Sequence, residues 1–182
     1  MTQILTSYVD WVKAMPIISA MIQFAILGTL GEVISRWIRS RSFRYPFNLR
    51  LTLWKMFVWA LLAIGIKYAF KGFTGFVEYL EDHAYLGELS SLGRAFAISA
   101  FMNLQFGLTL VLAHRALDNL PEKQKNWQNL DKSIYSLVWF WIPAHTITFM
   151  LPELYRIGLA ALWSVALGII LGFFGQKKSE LK

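Results

Sequence analysis

The chain has 182 residues, of which 56% are hydrophobic and 16% aromatic, and it carries a formal net charge of +7 without any cysteine. Soluble domains have an apolar fraction of roughly 45–50%, so this composition favours a membrane protein, and the lack of cysteine excludes disulfides and thiolate chemistry. The basic residues flank long apolar stretches, which argues against nucleic acid as a partner.

Five apolar blocks follow one another along the chain. They occupy residues 15–37, 51–71, 95–116, 133–151 and 157–174. Each is about 20 residues long, the length that an α-helix needs to cross a hydrocarbon core. Soluble helices of this length would show a charged face, and these blocks do not. The sequence therefore predicts one all-α integral membrane domain over residues 1–182, built as a polytopic transmembrane helix bundle.

The number of crossings has two interpretations. Pro152, Glu153 and Arg156 favour a wet turn between the last two blocks, because proline ends a helix and charges avoid hydrocarbon. This turn gives five spans. Four spans result if one of the last two blocks is broken, re-entrant or interfacial. Segment 72–93 is either an amphipathic surface helix or a plain loop.

Loop charge predicts the orientation. The first loop region is basic and contains no acid, whereas the second is acidic, with Glu78, Glu81, Asp82 and Glu88. The third is basic again, with Arg115, Lys123, Lys125 and Lys132. By the positive-inside rule the first and third loops lie on the cytoplasmic-type side of a bacterial inner membrane or an organelle membrane.

The first basic loop also predicts lipid contacts. Arg39, Arg41 and Arg44 follow the first block closely and are expected to contact anionic lipids.

Polar residues within the first two blocks allow structural and functional interpretations. Glu32 lies one helical turn from Arg36, which predicts an ion pair near the membrane surface. Gly28 and Gly31 share a face and predict close helix packing. Lys67 either snorkels to the outer interface or is an interior cation that lines a polar cavity or binds an anionic solute.

The third and fourth blocks each carry a polar stripe at helical spacing. In the third block the stripe is Ser99, Asn103, Gly107, Leu110 and His114. In the fourth it is Trp141, His145, Thr148 and Pro152. Such stripes are either interhelical packing surfaces or the walls of a water-filled cavity.

Proline and glycine add two local features. Pro143 should bend the fourth helix beside His145. Gly168 and Gly172 form a GxxxG pair in the last block, which favours close packing within the bundle or in a dimer.

Chemistry-bearing motifs are not evident in the sequence. No metal-ligand spacing, phosphate-binding glycine loop or nucleophile triad is found, so neither an enzyme nor a cofactor or metal is expected. His114 and His145 should lie at different depths, which disfavours joint haem ligation.

The opening segment YVDWVKAMPIISAMIQFAILGTLGEVISRWI carries Tyr8, Trp11, Pro16, Gly28 and Gly31, and the segment WFWIPAHTITFMLPELYR carries Pro152 followed by the Tyr155-Arg156 pair. In these residues and in the order of its features, the chain resembles the Mpv-seventeen/PMP-twenty-two family of small peroxisomal and mitochondrial inner-membrane proteins, which has bacterial members. The first segment fits the family's opening and the second its last signature.

The chain also departs from the family pattern. Glu32 replaces an aspartate, His145 a glutamine and Thr148 an asparagine, and the third block lacks an Asp-Gln pair. The resemblance implies a divergent bacterial-type member that forms or regulates a channel for small solutes.

The leading functional hypothesis is a weakly selective channel for small solutes or ions. Its candidate lining residues are Gln23, Lys67, Ser99, Asn103, His145 and Thr148. The candidate packing residues are Gly28, Gly31, Gly107, Gly168 and Gly172. The alternative is a structural or assembly subunit that binds partner helices and anionic lipids. Expected partners are the bilayer and either a second copy or another membrane protein.

Overall fold

The computed structural model describes the main chain of residues 2–121, 125–128 and 130–180, and the side chains between residues 3 and 173 of those ranges. Lys123, part of the third basic loop, lies outside the described residues. Within the described ranges the chain forms helices and no strands, which confirms the all-α fold class.

Six helices follow one another along the chain. They are α1 (Thr2–Ala14), α2 (Pro16–Ser40), α3 (Leu49–Asp82), α4 (Ser91–Asp118), α5 (residues 130–150) and α6 (Glu153–Glu180). Helix α3 continues through the first part of the segment for which a surface helix or a loop was predicted, and only residues 83–90 are a loop.

Local chemistry explains several helix ends. The Asn48 side chain accepts a hydrogen bond from the backbone N–H of Leu51 (2.8 Å), and Ser90 accepts one from Gly93 (3.1 Å), so α3 and α4 each begin with an N-cap. Leu151 leaves the helical conformation with ψ 156°, directly before Pro152. Proline restricts the residue before it to extended conformations, which separates α5 from α6.

Helices α2 to α6 run in alternating directions. Along α4 and α5, Ser99 meets Ile142 while Gly107 meets Leu137, so these two helices are antiparallel. Along α2 and α6, Gly31 meets Gly168 while Ile38 meets Gly172, so these two are parallel. We call the end with loop 41–48 the first-loop end, and the end with loop 83–90 the second-loop end.

Four of the predicted spans are helices long and apolar enough to cross a membrane. They are Pro16–Ser40, Leu49–Asp82, Ser91–Asp118 and Glu153–Phe173. The fifth predicted span, 133–151, is α5, which runs beside α4 but is not among these four. Buried polar groups in α5, among them Ser136, His145 and Thr148, reduce its apolar character.

The distribution of apolar side chains fits a lipid environment. Buried residues such as Phe24, Ile66 and Ala160 form one core between the helices. Large apolar side chains on the outside remain exposed, including Ile26 (53%) and Leu162 (52%). Large apolar side chains exposed along helices of this length fit an apolar solvent, so this is an integral membrane protein.

Candidate functional site

A polar cluster is buried between α4 and α5. Ser99 Oγ donates to the Ile142 carbonyl (2.7 Å), and Asn103 Nδ2 donates to the Ser99 carbonyl (2.8 Å). The Asn103 amide also meets His145 Nδ1, at 3.1 Å through Nδ2 and 3.3 Å through Oδ1, so either tautomer of the ring has a partner. Ser99, Asn103 and His145 are 0%, 2% and 8% exposed. The two predicted polar stripes therefore meet each other.

Both helices of this cluster contain a π turn at the same level. These turns span Asn103–Gly107 in α4 and Leu137–Trp141 in α5. Pro143 cannot donate to the carbonyl four residues before it, and α5 takes its π turn directly ahead of this proline. The turn in α4 has no such sequence signal. Short π segments occur frequently at functional sites.

Aromatic rings surround His145. Its ring stacks on Trp141 at 5.0 Å between centroids and meets the edge of Phe70 at 5.5 Å. Phe70 in turn packs against Phe149 at 4.8 Å. Thr148 lies one turn further along α5 and joins it to α6, because its hydroxyl accepts a hydrogen bond from Trp163 Nε1 (3.1 Å).

A small pocket lies beyond Phe70 at the second-loop end. Its volume is about 30 Å³, and its lining consists of Lys67, Phe70, Lys71, Thr74, Glu153, Arg156 and Ile157. Lys71 and Glu153 form an ion pair of 2.6 Å. Lys67 was predicted either to snorkel or to be an interior cation. It lines this pocket, beside Phe70, and is not part of the polar cluster.

A charged cluster lies near the first-loop end. Lys55, 5% exposed, bridges Glu32 on α2 and Asp118 on α4. Trp59 Nε1 donates to Glu32 (2.8 Å), and His114 Nε2 lies 3.5 Å from the same carboxylate. The prediction that Glu32 pairs with Arg36 is wrong. Helix α3 places Lys55 against Glu32 instead.

Glu32, His114 and Asp118 also have the donor chemistry of a metal site. One ligand atom from each lies within 4.8 Å of the others. The Lys55 ammonium group already binds both carboxylates, so a cation of the protein itself neutralises this cluster. The sequence prediction missed the cluster, although the i,i+4 spacing of His114 and Asp118 was a signal for a shared helix face.

Gln23 lies apart from the other predicted lining residues. Its Oε1 accepts from Tyr8 OH (3.0 Å) on α1, and its Nε2 donates to the Ser19 carbonyl (2.9 Å). Gly158 of α6 is the neighbouring backbone. The structure thus brings Ser99, Asn103 and His145 together between α4 and α5, whereas Thr148 contacts α6 and Gln23 joins α1, α2 and α6.

The five predicted packing glycines all face neighbouring helices. Gly28 lies under the Trp59 ring, and Gly107 lies against Leu137. Three of them line the contact of α2 with α6: Gly31, Gly168 and Gly172. The GxxxG pair is therefore occupied within the bundle and is not a free dimerisation face.

The basic first loop is exposed. Arg39, Arg41 and Arg44, the predicted anionic-lipid contacts, are all accessible at the first-loop end, and the Phe43 side chain among them is 88% exposed. An exposed aromatic ring between arginines fits a membrane interface.

Comparisons with known proteins give no functional assignment for this chain. No family model matches the chain, and no curated protein or solved structure is significantly similar to it. The resemblance to the Mpv-seventeen/PMP-twenty-two family stays a prediction.

Proposed function

We propose that this membrane protein is a weakly selective channel for small solutes or ions, and that its pathway follows the contact between α4 and α5. The observation that carries the proposal is the Asn103–His145 pair, buried between two helices that both take a π turn at this level. In this proposal the structure is the closed state.

The cost of polar groups in hydrocarbon supports this assignment. Interior amide and imidazole groups are expensive in a membrane and often mark solute pathways. In the closed state Asn103 binds both Ser99 and the Nδ1 atom of His145, so these polar atoms are satisfied within the protein. When the helices separate, the same side chains can form hydrogen bonds with a passing solute or with the water around it. A π turn holds one extra residue, and its loss would rotate the rest of the helix and redirect these side chains.

Phe70 and Phe149 are the gate in this proposal. Phe70 lines the pocket at the second-loop end and also contacts the His145 ring. Phe149 closes the same gap at 4.8 Å from Phe70. Hydrophobic constrictions of this kind close pores by excluding water.

Solute release from liposomes tests the gate. We expect purified protein in liposomes to release a small trapped dye slowly, and Phe70→Ala to release it several times faster. The matched control is Phe57→Ala, which removes an equally large ring from the same helix at a position that is 54% exposed. Equal release by the wild type, Phe70→Ala and Phe57→Ala would reject the gate.

A second pair of variants tests the pathway itself. Asn103→Leu and His145→Leu should reduce release in the Phe70→Ala background, because they replace the polar wall by apolar groups. Gln105→Leu is the matched control, since Gln105 is exposed two residues away on the same helix. If all three variants release alike, solute does not pass along α4 and α5.

The family resemblance points to the same function, since its members are thought to form or regulate channels for small solutes. His145 and Thr148 stand where that family has glutamine and asparagine, and both lie in or beside the polar cluster. The replacements retain polar side chains at these positions.

The alternative function is a structural or assembly subunit anchored to anionic lipids. The exposed Phe43 between Arg41 and Arg44 favours it, because such a loop fits a negatively charged leaflet. In this alternative the first-loop end faces the cytoplasmic-type side. Copurification of a stoichiometric membrane partner, together with no release by Phe70→Ala, would support the subunit and reject the channel.

A further inference from the structure

We propose that the pocket at the second-loop end binds a small inorganic anion and makes the pathway anion-selective. We call it the basic pocket and define it by Lys67, Lys71 and Arg156, with Glu153 as the single carboxylate. The selectivity rests on the channel proposed above, whereas the binding does not.

Charge is the first argument for the basic pocket. Three cationic side chains and one carboxylate line it, and a second carboxylate, Glu78 on α3, acts on Arg156 from nearby, which leaves one positive charge in excess. Lys71 takes the direct ion pair with Glu153, at 2.6 Å. Lys67 acts on that carboxylate only at longer range. Its ammonium group is therefore the cation that an incoming anion can bind with the least competition.

The position of Arg156 is the second argument. Its Nε donates to the Leu151 carbonyl (2.8 Å), and its guanidinium lies 5.5 Å from the centre of the Phe149 ring. These contacts hold a permanent positive charge directly over one of the two gate residues. Rings of arginine and lysine are the usual selectivity element of pores for anions.

The location of the pocket gives it access to the polar cluster. Phe70 is part of its lining, and the same ring also meets the His145 ring. An anion in the basic pocket would thus be separated from the Asn103–His145 pair by one aromatic side chain. Low-dielectric walls around a cleft of one sign raise the local concentration of the oppositely charged solute.

The size of the cavity defines the ligand class. A volume of about 30 Å³ accommodates roughly one water molecule. This volume favours a small monovalent anion such as chloride as the ligand.

Binding is measured first, on the purified protein in detergent, by the line width of the ³⁵Cl⁻ resonance. We expect the protein to broaden this resonance, and Lys67→Glu and the milder Lys67→Gln to remove most of the broadening. Lys13→Glu is the matched control, because Lys13 is an exposed lysine at the same end and its reversal changes the net charge equally. Broadening that is absent, or equal in all four proteins, would overturn the anion site.

Selectivity is measured second, from the reversal potential across a planar bilayer with a KCl gradient. We expect chloride to permeate severalfold better than potassium, Lys67→Glu to lose this preference, and Lys13→Glu to keep it. Conductance without an anion preference would overturn the selectivity and leave the channel in place. No conductance even for Phe70→Ala would reject the channel, and the chloride line width would still decide the binding site.

Discussion

The contact between α2 and α6 makes a specific prediction about stability. Gly168 lies against the backbone of Gly31, and an added Cβ would come within 2.9 Å of the Gly31 Cα. The Gly31 atoms in the way belong to the main chain, so no side-chain rotation can relieve the clash. Gly168→Ala must therefore push the two helices apart.

The expected magnitude follows from two opposing effects. Overpacking a close contact costs about 1–3 kcal/mol. Alanine is a better helix former than glycine by up to about 1 kcal/mol, which offsets part of that cost. The contact cannot yield locally, so we expect a net loss of about 1–2 kcal/mol in the free energy of unfolding.

Unfolding by sodium dodecyl sulfate in mixed micelles, followed by tryptophan fluorescence, measures this difference. Gly72→Ala on α3 is the matched control, because a Cβ there meets nothing within 4 Å. We expect that variant to be more stable than the wild type by roughly 0.5–1 kcal/mol. The reasoning is refuted if Gly168→Ala is as stable as Gly72→Ala.

Two further predictions concern the buried polar groups. Lys55→Met leaves the Glu32 and Asp118 carboxylates without their bridging cation. In the same titration it should lower the free energy of unfolding by about 3–5 kcal/mol. A loss below about 1 kcal/mol would contradict a buried bridge. Ser99→Ala removes the hydrogen bond to α5 and should cost about 1 kcal/mol, so an unchanged midpoint would mean that this bond does not join the helices.

The sequence predicted the helices well because their length and apolar character come from the chain itself. Each of the five blocks overlaps one helix of the bundle, and the turn between α5 and α6 falls at Pro152. Two differences stand out: helix α1 precedes the first apolar block and was not predicted, and the end of α3 was placed too early. The apolar block ends at residue 71, but α3 continues to Asp82 because backbone hydrogen bonds do not require apolar side chains.

The polar cluster was predictable only in part. Helical spacing placed Ser99 with Asn103 and His145 with Thr148, and a short connection predicts that neighbouring helices pack side by side. Which faces then meet depends on the rotation of each helix about its axis, and hydropathy does not determine that rotation. For the same reason Glu32 was assigned to Arg36 along the helix, whereas its partner Lys55 comes from α3.

The contact of α2 with α6 and the contact of α4 with α5 depend on different interactions, and this difference predicts which pair of helices separates when the bundle opens. Helices α2 and α6 meet through main-chain atoms at Gly31 and Gly168, so they cannot slide without a clash. Helices α4 and α5 meet through side-chain hydrogen bonds beside two π turns, and each such bond is worth only about 0.5–1.5 kcal/mol. Movement should therefore occur between α4 and α5.

The absence of native cysteine allows a direct test by paired cysteines. Gly107→Cys with Leu137→Cys places a disulfide between α4 and α5, and Ile38→Cys with Gly172→Cys places one between α2 and α6, because each pair is in contact. In the Phe70→Ala background we expect the first disulfide to stop dye release until it is reduced, and the second to leave release unchanged. The opposite pattern would move the opening to α2 and α6 and refute the assignment of the pathway.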